Sequence, residues 1–258
     1  MRLRKQGGTA VIVRPCRCVL YVVVAVGIVC GRPFFVSGEE TLPEGFVSMF
    51  NGRDLTGWEG KPGWWHVEDG AITCESTPEH PCTKHNYLMW RGGTPGDFEL
   101  RLKYRIRGGN SGVQFRSREI PDFDTRGYQA DIDAAGQWTG ALFEHARGGV
   151  ALRGQKVVID PDGTRHETQF ADPAELLKYV HPDDWNEYRI VAKGNHIVLS
   201  INGHVTAEVY DDQEGQAARK GVIALQMHPG PPMKVQFKDL MIRIDDPKGA
   251  DTGHDRPQ

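Results

Sequence analysis

Basic residues are in short supply once the first 38 positions are set aside. Six of the chain's 31 Lys and Arg residues fall there and none of its 34 Asp and Glu. The remainder therefore carries 25 basic against 34 acidic residues, a net of −9. That balance argues against a nucleic-acid partner, because holding phosphates needs a basic face. Cysteine is scarce too. Of five, Cys16, Cys18 and Cys30 lie in the first 38 positions, leaving Cys74 and Cys82. No Cys-x-x-Cys pair exists, which speaks against a thiolate metal site. The longest apolar run, Val19–Val29, falls short of the roughly 18 residues a spanning helix needs. The chain also lacks a Gly-x-Ser-x-Gly elbow, a His-Glu-x-x-His helix and a P-loop. Asp131-Ile132-Asp133 has no flanking Glu residues of the Glu-x-Asp-x-x-Glu kind, so two-carboxylate glycoside hydrolysis is poorly supported.

What is present begins with Arg2, Arg4, Lys5, Arg14 and Arg17, which precede the apolar run. This is the layout of a secretory signal, with Val36-Ser37-Gly38 suited to cleavage after Gly38. The expected organisation is a signal over 1–38, one domain over 39–245 and a disordered polar tail over 246–258. The product would be exported, periplasmic or extracellular, with no membrane span after signal removal; an uncleaved N-terminal anchor is the alternative. In an oxidising compartment the remaining pair suggests a Cys74–Cys82 disulfide closing the loop 75–81, against the alternative of two free thiols.

Period-2 patterning recurs from end to end. Phe98, Leu100, Leu102, Tyr104 and Ile106 alternate with Glu99, Arg101, Lys103 and Arg105, as in a half-buried strand. Asn202-Gly203 between His196–Ile201 and Val205–Tyr210 is a strong hairpin signal. Only 172–180 reads as helix, with Asp172 as cap and Pro173 at the first helical position. A dozen short strands and one short helix predict an all-β fold: a two-sheet antiparallel jelly-roll sandwich.

The chemistry concentrates between Asn110 and His145. Residues two apart on a strand share a face, so Gln114 pairs with Arg116, and Gln129 with Asp131 and Asp133. Gln226 and His228 share a parity on a later strand, ahead of the rigid Pro229-Gly230-Pro231-Pro232 segment. Amides and Arg read hydroxyls, while carboxylates and His move protons, so these residues predict a carbohydrate site. Glu144 and His145 have opposite parity; Glu144 is taken to face the groove and His145 is set aside. Trp138 is the candidate for stacking on a sugar ring. No cofactor is indicated, although Asp131, Asp133, Glu144 and His228 leave a divalent metal open.

Four segments resemble the 3-keto-disaccharide hydrolase family of exported bacterial proteins. They are Gly45–Trp58, Asn110–Ser117, Gly127–Ile132, and the closing strands Gly221–Gln226 with His228 and Val235–Ile244. The resemblance implies a concanavalin A-like sandwich and cleavage of glycosides already oxidised to the ketone at C3. Such a ketone acidifies the C2 proton, and its removal lets the C1 substituent leave. By this resemblance Asp131 or Glu144 is the base, Arg116 and His228 are donors to the enolate or sugar, and Gln129 and Gln226 are positioning groups. Relatives place an acidic pair where this chain has Glu144-His145. The competing expectation is a non-catalytic, lectin-like carbohydrate-binding module, because a fold does not determine activity.

Overall fold

The computed structural model describes residues 42–245, so the expected signal over 1–38 and the tail from 246 lie outside the described residues. In chain order the first strands are β1 (Val47–Ser48), β2 (Trp58–Gly60), β3 (Trp65–Glu68), β4 (Ala71–Ser76), β5 (Asn86–Trp90) and β6 (Phe98–Arg107). Next come β7 (Asn110–Ile120), β8 (Asp124–Asp133), β9 (Leu142–Glu144), β10 (Gly148–Ala151), β11 (Gln155–Ile159) and β12 (Arg165–Gln169). After the short helix α1 (Pro173–Leu177) follow β13 (Asn186–Lys193), β14 (His196–Ile201), β15 (His204–Asp211), β16 (Val222–Met227) and β17 (Met233–Ile244).

They form two sheets. The larger runs β12-β11-β15-β14-β13-β6-β17-β4-β3, with β1 also on β17; the smaller runs β10-β9-β8-β7-β16-β5-β2. Pairing is antiparallel except for β11 beside β15. This is the two-sheet sandwich with one short helix that the patterning predicts. Asp172 caps α1 as expected, accepting from the Ala174 and Glu175 amides.

The alternation on β6 places Leu100, Leu102 and Tyr104 in the space between the sheets, where Val113, Phe115, Tyr128, Ala130 and Leu225 meet them from the smaller sheet. Each of the Leu, Val and Phe side chains contributes about 1.5–3 kcal/mol through burial. The smaller sheet has a second buried face as well. Tyr87, Met89 and Ala224 form a separate apolar cluster on it, next to buried Gln114, Gln129, Asp131 and Gln226. A sheet with polar residues buried on its outer face is the signature of a floor beneath something.

Two features depart from the strand arithmetic. β7 shifts register between Phe115 and Arg118 against β8, and Arg116 sits at the bulge with φ 47°. Gly127 opposite allows it: a Cβ there would lie 2.4 Å from the Ser117 hydroxyl oxygen. The second departure concerns sulfur. Cys74 and Cys82 are both buried and both free, so the expected disulfide is absent. Both thiols lie in the main core cluster, and Cys82 Sγ donates to the Lys84 carbonyl at 3.1 Å. Burial pushes both thiols up from their ordinary range, away from the reactive thiolate. A thiol-specific chromogen added to protein lacking residues 1–38 is expected to count no fast-reacting thiol when native and both when unfolded. A count of zero after unfolding would restore the disulfide.

Candidate functional site

The outer face of the smaller sheet carries a groove of 520 Å³, lined by His85, Asp131, Trp138, Phe143, His145 and His228 among others. Its floor is an amide chain set by strand register. Gln114 lies opposite Gln129 across β7 and β8, and Gln226 lies opposite Tyr87 across β16 and β5. Ser117 Oγ donates to Gln114 Oε1 (2.6 Å), and Gln114 Nε2 donates to Gln129 Oε1 (2.8 Å). Gln129 Nε2 donates to Asp131 Oδ1 (2.6 Å) and to Gln226 Oε1 (3.1 Å). Gln226 Nε2 then donates to the Tyr87 hydroxyl (2.8 Å). A buried network in which every member has a partner holds one geometry.

Asp131 is the group this floor presents. It is 4% exposed, and burial pushes its carboxyl from 3.8 up to about 7; the Gln129 hydrogen bond opposes the rise and Asp133 adds to it. Among the described residues Oδ2 has no hydrogen-bond partner, so one carboxylate oxygen is left for the groove. Asp133 does a different job. Its carboxylate accepts the Ala135, Gln137 and Trp138 amides, fixing the loop that holds Trp138 over the groove. Trp138 and Phe143 meet edge to face at 6.3 Å and form an apolar wall on which a sugar ring can stack.

Three imidazoles line the groove with Asp131. His85 and His228 lie edge to face with centroids 4.9 Å apart, and His85 and His145 are 5.9 Å apart. Burial, reinforced by His228, lowers His85 to about 4, and burial lowers His145 as well. Both are neutral at pH 7. Tautomers follow from the partners. Gln226 Nε2 approaches His85 Nδ1 at 3.4 Å, so that nitrogen accepts and His85 Nε2 carries the proton. His228 Nδ1 lies 2.6 Å from the Pro229 carbonyl, so it donates there and Nε2 keeps its lone pair. Tyr87 OH lies 3.3 Å from His145 Nε2, and burial pushes the phenol up to about 12.

Of the residues singled out by sequence, Gln129, Asp131, Trp138, Gln226 and His228 meet at the groove, with Gln114 buried behind Gln129. Two do not. Arg116, turned by the bulge, is 1% exposed and donates to the Gly96 carbonyl, the Gly194 carbonyl and Asp97 Oδ1. Glu144 lies opposite Tyr128, on the core-facing parity, and pairs with Arg147 at 3.3 Å; Arg147 in turn bonds buried Asp211 at 2.7 Å. Phe143 and His145 therefore take the groove side, reversing the expected choice between Glu144 and His145. With Glu144 turned away, the four candidate metal ligands do not converge. Among the described residues no three His, Cys, Asp or Glu side chains form a metal-binding group. Sequence reasoning missed His85 and Tyr87. Their shared parity at the start of β5 was the available signal, but only the pairing of β5 with β16 brings them to Gln226.

Gly112 is required by this floor. A Cβ there would lie 2.6 Å from Gln129 Cγ and 2.8 Å from Nε2. Gly112→Ala is expected to displace Gln129, weaken the Asp131 hydrogen bond and cut turnover at least tenfold. The melting temperature should move only a few degrees, because the intruded group is a side chain. Circular dichroism melts and initial rates on the same preparation check both halves.

A buried carboxylate, neutral imidazoles and an aromatic wall on one sheet of a β-sandwich define a carbohydrate-type site. The 3-keto-alpha-glucoside-1,2-lyase-like domain matches residues 45–243, and the chain belongs to that family. The family ties the chain to carbohydrate chemistry, as a glycoside-acting or carbohydrate-binding protein. A candidate glycosyl hydrolase from Parabacteroides distasonis ATCC 8503 has a similar fold, with TM-score 0.52 and 18% identity over 80% of this chain and 99% of that one. A second from the same organism has TM-score 0.49 and 19% identity over 77% and 98%. Carbohydrate binding module CBM66 from Bacillus subtilis has TM-score 0.49 and 14% identity over 73% and 96%. No curated protein sequence matches. No helix among the described residues is long and apolar enough to cross a membrane.

Proposed function

We propose that the groove cleaves 3-keto-glycosides by eliminating the C1 substituent after removal of the C2 proton. The observation that carries this reading is Asp131, a buried carboxyl raised to about 7 with one oxygen unpartnered toward the groove. A base whose pKa lies near neutrality removes a carbon-bound proton more effectively than an ordinary carboxylate. The C3 ketone supplies the acidity, and the charge that develops on its oxygen needs a hydrogen-bond donor. His85 Nε2–H fills that role because its ring is neutral and its tautomer is set by Gln226. The C2–H and C1–O bonds break, the C1–C2 double bond forms, and the departing oxygen takes a proton. That proton comes from water in the groove, because the ring proton of His228 is committed to the Pro229 carbonyl; His228 Nε2 accepts from a sugar hydroxyl instead. The products are an unsaturated keto sugar and a free alcohol; water can then add to the former. Trp138 and Phe143 hold the ring face.

The test is incubation with 3-keto-trehalose, followed by chromatography for released glucose, with and without chelator and added divalent cations. Glucose release supports the reading. No release under any condition, together with calorimetric binding of the intact sugar, would leave a carbohydrate-binding module.

A further inference from the structure

Beside the groove lies a second cavity of 530 Å³, and its charge is opposite to that of the domain around it. Arg118, Arg126 and Lys220 line it, together with Gly127, Glu144 and His145. His145 also lines the groove, so the two spaces share a wall. Arg118 and Arg126 are direct cross-strand partners on β7 and β8. Like charges placed directly opposite destabilise a sheet, which makes this pairing costly unless an anion lies between them. Arg126 is partly neutralised by Asp124 at 3.1 Å, whereas Arg118 and Lys220, both exposed, have no partner among the described residues. The cavity's own carboxylate, Glu144, is already engaged by Arg147. The residue balance of the chain beyond position 38 is −9, so this cavity is a local exception rather than a general basicity.

We infer that this cavity is a subsite for an anionic leaving group, a carboxylate or phosphate carried by the alcohol released from C1. The inference rests on the proposed reading of the groove and deepens it. Asp131 and Arg126 lie on the same strand, roughly 16 Å apart at 3.3 Å per residue. That span leaves room for a leaving sugar between the reacting carbons and the cations. Guanidinium groups suit the planar, two-oxygen face of a carboxylate or phosphate, and Lys220 adds a point charge.

The experiment compares three substrates: 3-keto-trehalose, the 3-keto derivative of trehalose 6-phosphate, and a 3-keto-glucosyl glucuronate. The expected result is a KM lower by about three- to tenfold for one or both anionic substrates, the size two exposed ion pairs supply. The advantage should shrink at high salt. The Arg118→Gln/Lys220→Gln double variant should lose it while keeping wild-type turnover of 3-keto-trehalose. The phosphate and glucuronate arms identify which anion is preferred. Equal KM for all three substrates, or an advantage that survives in the double variant, overturns the inference. If no substrate is turned over, the proposed reaction fails on its own account. Calorimetry with unoxidised trehalose 6-phosphate and glucosyl glucuronate then decides the subsite. Salt-sensitive binding lost in the double variant upholds it, and no difference from trehalose overturns it.

Discussion

Asp131→Asn is expected to yield a protein that is more stable and nearly inactive. The activity half follows from the base role: replacing the carboxylate should cost between about a hundred- and ten-thousandfold in turnover of a 3-keto-glucoside. The stability half follows from burial. The unfolded chain releases the Asp131 proton near 3.8, whereas the folded protein holds it to about 7. Between those values the folded state binds more protons, so stability falls as pH rises through the window and the loss is complete above about 7. At one pKa unit per 1.36 kcal/mol the burden approaches about 4 kcal/mol at alkaline pH. Asn has the same shape, carries no charge and can still accept from Gln129 Nε2. The variant's melting temperature should therefore exceed that of the wild type by several degrees at pH 8, converging with it near pH 4. Wild-type kcat/KM should rise with an apparent pKa near 7, and this limb should vanish in the variant. Retention of the limb would take the base role away from Asp131.

The fold was legible because its signal is local. Alternation on β6 and the Asn202-Gly203 turn each specify a strand or a hairpin without reference to distant residues. Parity also puts Gln114 on the same face of the smaller sheet as Gln129 and Asp131, as the structure has it, because β7 and β8 are regular over Asn110–Phe115 and Tyr128–Asp133. It failed where regularity ends. The bulge after Phe115 rotates Arg116 out of the face that Gln114 occupies. Ahead of His145, the Ala141 amide turns back onto the Trp138 carbonyl at 2.9 Å, and the strand covers only Leu142–Glu144. The register of that short strand, not its sequence, determines that His145 and not Glu144 reaches the groove. His85 was invisible for another reason. It touches Gln226 and His228, both more than 140 positions away, through a strand pairing that no local pattern encodes.

Arg116→Met is expected to lower the melting temperature by about ten degrees while leaving the KM of the folded protein nearly unchanged. The guanidinium is fully buried, and it joins the smaller sheet to the larger one. Its partners are the Gly96 carbonyl at 2.9 Å, the Gly194 carbonyl at 2.7 Å and Asp97 at 3.0 Å. The Gly194 amide donates to the same Asp97 oxygen at 2.9 Å, so the turn after β13 and the entry to β6 are held at one point. Without the guanidinium the Gly96 and Gly194 carbonyls lose their donor, at about 1–3 kcal/mol each, a cost on the order of 2–6 kcal/mol in all. For a domain of this size that corresponds to roughly 2–4 degrees per kcal/mol. The backbone raises the stakes, because a β-sheet residue at φ 47° is held there only by what surrounds it. Arg116→Lys keeps the charge but loses the fork that reaches three acceptors, so it should recover only part of the loss. A sugar-binding Arg116 predicts the opposite pattern, a raised KM with an unaltered melting temperature. The two roles are thus separated by paired melting and steady-state measurements on one variant. The groove is spared because its floor is held separately: Ser117 anchors Gln114, Gln114 anchors Gln129, and Gln129 holds Asp131, through hydrogen bonds of 2.6–2.8 Å in which the Arg116 side chain takes no part.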